Sequence, residues 1–230
     1  MNRNCTFAII TGLLLATSSV VSANSIEQEG YYGSIKVLRT FQDAKNMDTS
    51  SRPGIGSFVS GQDNDNFYNG SIAAGYQFGN GWRTEGEYVA KKKSTYTSGS
   101  TRFPTSFNHQ YINAERLMLN GYRDIALSHG FALYGTLGIG VAKISSDGWQ
   151  GNPARQYASS TQNNLTYTIG TGVSYSPVES LILDLGYRYT DMGDVQSGFN
   201  QFANARALQD EQMKAHLVSS EFLLGIRYIF

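Results

Sequence analysis

The chain has 230 residues, 18 basic and 18 acidic side chains, 25 glycines, 15 tyrosines, 12 phenylalanines and a single cysteine. The balanced charge gives no long-range field to attract nucleic acid, so nucleic acid is not an expected partner. The length suits one domain. The fold must therefore be predicted from the positions of the apolar and polar residues along the chain.

The N-terminus has the features of a secretory signal peptide. Arg3 provides the positive charge, residues 7–16 form a short apolar core, and Val21, Ser22 and Ala23 are small residues suited to cleavage. We predict a signal peptide over residues 1–23 and one domain over residues 24–230. Cleavage would leave a mature chain with a net charge of −1. It would also remove Cys5, the single cysteine, and this loss excludes disulfides and cysteine-ligated metals. No later apolar stretch reaches the ~18 residues of a transmembrane helix.

Eight later segments alternate apolar and polar residues with a period of two, which predicts β-strands. Each has roughly ten residues, the length that a tilted strand needs to cross a bilayer. In the fourth segment the apolar face shifts between Ile112 and Leu117, which indicates a β-bulge. The segments are residues 31–37, 67–78, 82–91, 111–123, 131–143, 165–175, 181–189 and 218–230.

The connections between these segments alternate in length. Residues 79–81, 125–130 and 177–180 are short, whereas residues 40–66, 92–110, 144–163 and 191–215 are long. Transmembrane barrels combine short periplasmic turns with long outer loops. We therefore predict an all-β fold: an eight-stranded antiparallel transmembrane up-and-down β-barrel with four long extracellular loops and three short periplasmic turns.

A soluble sandwich or lipocalin-like barrel would show the same alternation with apolar residues inside. Three features favour the inverted arrangement of a membrane barrel. The polar face is rich in small residues that suit a narrow interior, the apolar face ends in aromatic residues, and the polar face carries charges of both signs at mid-strand.

The charges predicted to face the interior could form a structural salt-bridge network or a gated ion path. We favour the network, because an eight-stranded interior is only wide enough for side chains to fill and buried charges must pair. These residues are Lys36, Arg83, Glu85, Glu87, Lys91, Asp184, Arg188, Glu221 and Arg227.

No pattern for catalysis emerges. Glu85 and Glu87 share a face, but among arginines and lysines both should be ionised and paired. His129 falls in a predicted periplasmic turn, whereas His109 and His216 flank long loops at the other end, so the three cannot share a metal or a catalytic triad. We expect no enzyme, no metal and no cofactor.

The second long loop is basic and aromatic, with no acidic residue from position 91 to 110. Such a loop could bind sulfated glycans. Equally, its lysines could lie at the membrane border and bind lipopolysaccharide phosphates. The candidate binding residues are Lys91, Lys92, Lys93, Tyr96, Arg102, Phe103, Phe107 and His109.

The final segment, EFLLGIRYIF at residues 221–230, resembles the closing strand of bacterial outer-membrane proteins. The resemblance implies an assembly signal for the barrel-insertion machinery, formed by Phe222, Leu224, Ile226, Tyr228 and Phe230. AAGYQF (73–78), LMLNGYRDI (117–125), GTLGIGVA (135–142) and LGYRYTDMGDV (185–195) resemble the small opacity-like, OmpA-transmembrane-like barrel family.

The same phrases are similar to the enterobacterial invasin and haemagglutinin branch of that family, the Tia, Hek and PagN type. This resemblance implies adhesion to host cells through surface loops that recognise heparan-type glycans. We therefore expect a monomeric barrel in the cell outer membrane, in contact with its lipids and lipopolysaccharide. The alternative is a structural barrel or minor porin-like channel without a specific ligand.

Overall fold

The computed structural model describes residues 28–49 and 56–230, so the predicted signal peptide lies outside the described residues. No helix in this part of the chain is long and apolar enough to cross a membrane. The described residues form nine strands: β1 (Gly30–Thr49), β2 (Phe58–Ser60), β3 (Asn64–Phe78), β4 (Trp82–Ser100), β5 (Phe103–Ala126), β6 (Phe131–Gln150), β7 (Asn152–Val178), β8 (Leu181–Gln196) and β9 (Met213–Ile229).

Eight of these strands close into a ring. Their order is β4-β3-β1-β9-β8-β7-β6-β5, every pairing is antiparallel, and the β4–β5 pairing completes the circle. The three-residue β2 adds to the upper end of β4. Closure satisfies the backbone hydrogen bonds that an open sheet edge would expose. The predicted eight-stranded antiparallel barrel is confirmed.

The connections at one end of the barrel are short and fall at the predicted places. Residues 79–81, 127–130 and 179–180 join β3 to β4, β5 to β6 and β7 to β8. In the second turn His129 and Gly130 both adopt positive φ, 61° and 80°. Consecutive left-handed residues match the right-handed twist of the flanking strands in a tight hairpin. By the usual asymmetry of membrane barrels this end is periplasmic.

The extracellular end is built from long hairpins that are mostly strand. β4 and β5 are separated only by Thr101 and Arg102, and β6 and β7 only by Gly151. β5 has 24 residues and β7 has 27, well beyond the ~9–11 that cross a bilayer. The sequence-based strand ends were therefore wrong here, because the strands continue out of the membrane. Residues 197–212 form the long connection between β8 and β9.

Apolar side chains face outward and polar ones inward along the membrane-spanning part. Ile35 and Leu137 are 67% and 66% exposed, whereas Glu87 and Arg227 are fully buried. Aromatic pairs mark both borders of this belt: Phe131 stacks on Tyr175 near the periplasmic turns, and other rings cluster about Phe222 near the opposite border. The inverted arrangement predicted from the alternation is confirmed.

The bulge predicted in the fourth segment is absent from β5. Its even-numbered residues face inward without interruption from Asn108 to Asp124, so Ile112 lies inside and Leu117 outside in one register. The apparent shift of the apolar face has another cause: above the membrane the interior itself becomes apolar. The prediction was wrong because it assumed one kind of interior along the whole strand.

A bulge occurs instead in the neighbouring β4. Three steps from Val89 to Lys92 lie opposite two steps from Arg116 to Ala114. One extra residue reverses the alternation, since side chains change face at every residue. Lys91 is consequently exposed, and its predicted inward orientation is wrong.

An apolar cluster fills the upper interior, and most of its residues come from segments predicted from the sequence to be loops. Tyr96, Ile112, Ile144 and Leu217 are each at most 1% exposed within it. Such a cluster packs the extracellular part of the barrel much as a soluble domain packs its core. The full cluster is Ala44, Met47, Tyr96, Ile112, Ala142, Ile144, Met192, Val195, Ala215 and Leu217.

Candidate functional site

The lower interior holds a charge network of ten buried residues. It contains five cations and five carboxylates, so its formal net charge within the described part of the chain is zero. The structure places inside it all eight predicted residues other than Lys91. Sequence analysis missed Arg116 and Asp124 because of the assumed change of face in β5. The members are Lys36, Arg83, Arg116, Arg188, Arg227, Glu85, Glu87, Asp124, Asp184 and Glu221.

Arg188 is at the centre of the network. Its Nη1 lies 2.6 Å from Glu87 Oε2 and its Nε lies 2.6 Å from Glu221 Oε2. Arg116 contacts the other oxygen of Glu221, also at 2.6 Å. Both carboxylates are thus held by short charge-assisted hydrogen bonds from different strands.

Lys36 and its neighbours hold Glu85, the other glutamate of β4. The Lys36 ammonium donates to Glu85 and lies 3.7 Å from Glu87 Oε1. The Tyr122 hydroxyl donates to Glu85 Oε1 at 2.6 Å, and the Asn120 amide donates to Glu87 Oε2 at 2.9 Å. Full pairing of this kind keeps buried carboxylates ionised and fixed, which suits a structural role.

Two further ion pairs close the periplasmic side. Arg227 binds Asp184 through Nε and Nη2, both at 3.2 Å, and donates to Gln77 at 2.5 Å. Arg83 binds Asp124 at 2.9 Å and lies 3.7 Å from the centroid of the Tyr122 ring.

Together the charge network and the apolar cluster fill the barrel. A cavity beside Arg116 and Glu221 has a volume of about 20 Å³, which is room for about one water molecule. An eight-stranded barrel whose inward side chains interlock in this way provides no wide aqueous path.

Lys91 and Lys93 lie on the outer wall, at the upper edge of the apolar belt. Lys92 instead pairs with the partly buried Ala114 and lines the small cavity beside Arg116. Lys92 Nζ is 5.6 Å from the Phe67 ring and Lys93 Nζ is 4.1 Å from the Tyr111 ring. Lys143, two strands from Lys93, lies 4.0 Å from Glu115 in the row directly above the lipid-facing Leu117 and Val141. This height corresponds to the lipid headgroups.

The other candidates from that loop lie much further out. Arg102 and Phe103 form the tip of the β4–β5 hairpin, nine residues beyond Lys93, or about 30 Å along the strand. Phe107 is partly exposed, and His109 stacks on Trp149 with ring centroids 3.7 Å apart. Burial lowers the pKa of His109. The eight candidate residues therefore do not form one site.

Tyr96 must be removed from that set. Its side chain is fully buried in the apolar cluster, and its hydroxyl donates to Gln42 Oε1 at 2.7 Å. The β4 bulge turns this residue inward, so it cannot touch a ligand at the surface.

A family model described as "Outer membrane protein beta-barrel domain" matches residues 10–230. The chain belongs to the outer membrane protein β-barrel family. Its location is therefore the cell outer membrane, and the family resemblance seen in the strand sequences is confirmed.

Two proteins similar to this outer-membrane β-barrel illustrate the relationship. The outer membrane protein PagN of Salmonella typhimurium is 32% identical over 117 residues, which cover 49% of this chain and 48% of PagN. The match thus spans about half the length of that relative. The crystal structure of the outer membrane protein OprG from Pseudomonas aeruginosa shares the fold, with a TM-score of 0.59, 12% identity and coverage of 90% of this chain and all of OprG.

In this outer-membrane β-barrel the predicted assembly signal lies on the C-terminal strand, β9, and the residue after it. β9 pairs with both β1 and β8, and its alternate residues point to the lipid. The recognition of these residues by the insertion machinery stays a prediction. They are Phe222, Leu224, Ile226, Tyr228 and Phe230, each more than half exposed.

The histidines of the barrel do not come together. His129 lies in a periplasmic turn, His109 on β5, and His216 on β9, where it contacts Asp194 at 2.8 Å and Asp191 at 3.2 Å. These carboxylates raise the pKa of His216. No group of three or more His, Cys, Asp or Glu side chains among residues 28–49 and 56–230 could hold a metal.

A pocket at the extracellular mouth was not foreseen from the sequence. Its volume is about 220 Å³, and its described lining comes from β2, the β4–β5 and β6–β7 hairpins and the connection before β9. No local motif could have indicated it, because its residues are brought together only by closure of the barrel.

Proposed function

We propose that this protein is an adhesin-type surface barrel whose extracellular hairpins bind acidic glycans of host cells. The observation that carries the proposal is the division of the molecule into a filled interior and long protruding hairpins. A filled interior opposes the minor porin-like channel, which was one of the two alternatives; the other, a structural barrel without a specific ligand, is tested by the adhesion experiment below. A binding role then belongs to the hairpins, the part that reaches beyond the lipid.

The reach of the hairpins supports this role. β5 continues for 14 residues beyond the lipid-facing Leu117 to Phe103, or about 46 Å along the strand. The strands there are paired and packed over the apolar cluster, so the hairpin ends are held in fixed positions. A pre-organised surface loses less conformational entropy on binding than free loops would.

The hairpin ends also carry suitable chemistry. Phe58, Phe103 and Phe199 are each at least 40% exposed, and Arg102 and Arg155 lie close to them in the same region. Aromatic rings can pack on sugar faces, and guanidinium groups bind carboxylates and sulfates through paired hydrogen bonds.

The lysines at the membrane border receive a different proposal. Lys91, Lys93 and Lys143 project from the outer wall at headgroup height, about 30 Å from the hairpin tip. Of the two alternatives left open by the sequence, this position supports contact with lipopolysaccharide phosphates. The glycan-binding role is then assigned to the hairpin ends instead.

The test is adhesion of a non-adherent bacterium that expresses the chain to cultured epithelial cells. We expect adhesion well above that of the vector control, and its loss when soluble heparin competes. The triple substitution of Lys91, Lys92 and Lys93 by Ser should leave adhesion unchanged. No adhesion above the vector, with the barrel present by heat-modifiable gel mobility, would overturn the proposal.

A further inference from the structure

The extracellular mouth pocket has the properties of a built binding site. The ends of two hairpins, β2 and the residues before β9 enclose about 220 Å³. This volume is below the ~300–1,000 Å³ typical of pockets for drug-sized ligands, so it suits one small ring. The lining residues that matter for binding are Phe58, Phe103, Asn108, Gln150 and Arg155.

Arg155 supplies the positive charge of the mouth pocket. Its Nη2 donates to Gln150 Oε1 at 2.8 Å, and its guanidinium lies 4.2 Å from the centroid of the Phe202 ring. These two contacts hold the group in place. Its buried Nε has no hydrogen-bond partner within the described part of the chain. A buried donor without a partner is costly, and an anion in the pocket would satisfy it.

Asn108 supplies an acceptor in the same pocket. The residue is only 5% exposed, and its Nδ2 makes a long contact of 3.4 Å to Ser98. Its Oδ1 is buried and has no partner among the described residues. Native proteins rarely leave such a group unpaired. A ligand hydroxyl is a suitable donor to it.

The rest of the described lining is neutral. Ser100, Ser106 and Asn204 are polar without charge, no carboxylate lines the pocket among the described residues, and the rings of Phe58 and Phe103 are partly exposed. The ligand should therefore carry one negative charge, several hydroxyls and an apolar face.

We infer that the mouth pocket binds a single acidic sugar unit of a host glycan, with a carboxylate or sulfate on Arg155 and a hydroxyl on Asn108. This inference rests on the proposed adhesive function and names the unit that the surface recognises. An acidic peptide could also reach Arg155, but it would leave unexplained the ring of neutral hydrogen-bonding groups. The sugar is therefore the better match to the lining.

The experiment uses the purified full chain in lipid nanodiscs and ligand-observed NMR titration. The probes are glucuronic acid, glucosamine 6-sulfate, neutral N-acetylglucosamine and a tetra-aspartate peptide. We expect one of the two acidic sugars to bind at least about tenfold more tightly than the neutral sugar, because charge-assisted hydrogen bonds are the stronger kind. The acidic sugar that binds better identifies the anionic group.

Variants assign the binding to the pocket. Arg155→Gln should lower acidic-sugar affinity by about tenfold or more and bring it to the level of the neutral sugar. Asn108→Asp, nearly isosteric, should also weaken binding, by placing a carboxylate beside the ligand anion. The matched control is Arg39→Gln, which changes an arginine that donates to Asn66 outside the described lining of the pocket and should bind as the unaltered chain does. Heat-modifiable mobility verifies the barrel in each variant.

The outcomes separate this inference from the proposed function. Equal binding of acidic and neutral sugars, unchanged binding by Arg155→Gln, or tighter binding of the tetra-aspartate peptide would each overturn the inference. Sugar binding without cell adhesion would support the pocket and refute the adhesive role. Adhesion without sugar binding would do the reverse. Adhesion that is lost together with sugar binding in Arg155→Gln would support both.

Discussion

Replacing Arg188 by Met is the most direct test of how the barrel interior is stabilised. The substitution keeps a long, flexible side chain and removes only the guanidinium. It eliminates the two 2.6 Å contacts to Glu87 and Glu221. The charge network then has four cations and five carboxylates, so one buried negative charge is uncompensated.

The expected loss is large because the broken partner is buried. Removing one member of a buried ion pair destabilises a protein by about 3–5 kcal/mol, most of which is the penalty for the charge left behind. Arg188 is 3% exposed and touches two carboxylates, which places it in that range. Glu221 keeps Arg116 and Glu87 keeps Ser71 and Asn120, which argues against a greater loss.

A second substitution should restore the balance. In Arg188→Met with Glu87→Gln, Lys36 remains paired with Glu85, and Arg116 remains paired with Glu221. The network is again neutral, and the glutamine amide can still bond to Ser71. We expect the double variant to be less destabilised than the sum of the two single variants, by about 0.5–3 kcal/mol, the coupling found between residues of one network.

The measurement is equilibrium unfolding by guanidinium chloride in lipid vesicles, followed by tryptophan fluorescence and gel mobility. Arg123→Met is the control, because Arg123 lies on the outer surface near the periplasmic turns, where changes are usually within about 0.5 kcal/mol. The explanation fails if Arg188→Met costs no more than this control. It also fails if the two network substitutions are simply additive.

Three further predictions follow from other parts of the molecule. Planar-bilayer recordings should show no large, stable conductance, because side chains fill the interior; reproducible porin-sized steps would contradict this. Ile144→Ala should destabilise the barrel by about 2–5 kcal/mol, since the side chain is fully buried in the apolar cluster; guanidinium unfolding measures the loss, and a negligible loss would show that the cluster is not packed. Because Asp194 and Asp191 raise the pKa of His216, its protonated form stabilises the base of the β8–β9 connection. That contribution is complete below about pH 6.5 and disappears as the pH rises through the raised pKa. Hydrogen exchange of residues 197–212 should accordingly be slower at pH 6 than at pH 8, after correction for intrinsic exchange rates. His216→Gln should abolish the difference, and persistence of the difference in that variant would refute the assignment.

The membrane-spanning part of the fold was predictable because its signals are local. A period of two, aromatic residues at strand ends and short turns at residues 79–81 all lie within a few neighbouring positions. The upper strands gave no such signal, since inward residues such as Ile112 and Ile144 are apolar there. In the strands that contribute to the apolar cluster, the inward face therefore changes from polar to apolar part-way along the strand. A pattern search that assumes one kind of interior ends these strands too early.

The candidate sites also divide into residues that the sequence could predict and residues that it could not. Charges at alternate positions, such as Arg83, Glu85 and Glu87, were predictable because the interior of a membrane barrel must accommodate the polar face of each strand. The orientation of Tyr96 was predicted wrongly, because no residue of β4 indicates the bulge between Val89 and Lys92. The mouth pocket joins Asn108 to Phe58 and Asn204, and only the tertiary fold brings such distant positions together.

The change from a polar to an apolar interior has a consequence for how the protein forms. The membrane-spanning part of each strand, with its polar inner face, is stable only in lipid. The extracellular part, with its apolar inner face, is stable only in water. The apolar cluster that includes Met192 and Leu217 can be buried only after all four hairpins have crossed the bilayer. Its burial would then oppose their return. The hairpins can also vary in sequence at their ends without disturbing either packing layer.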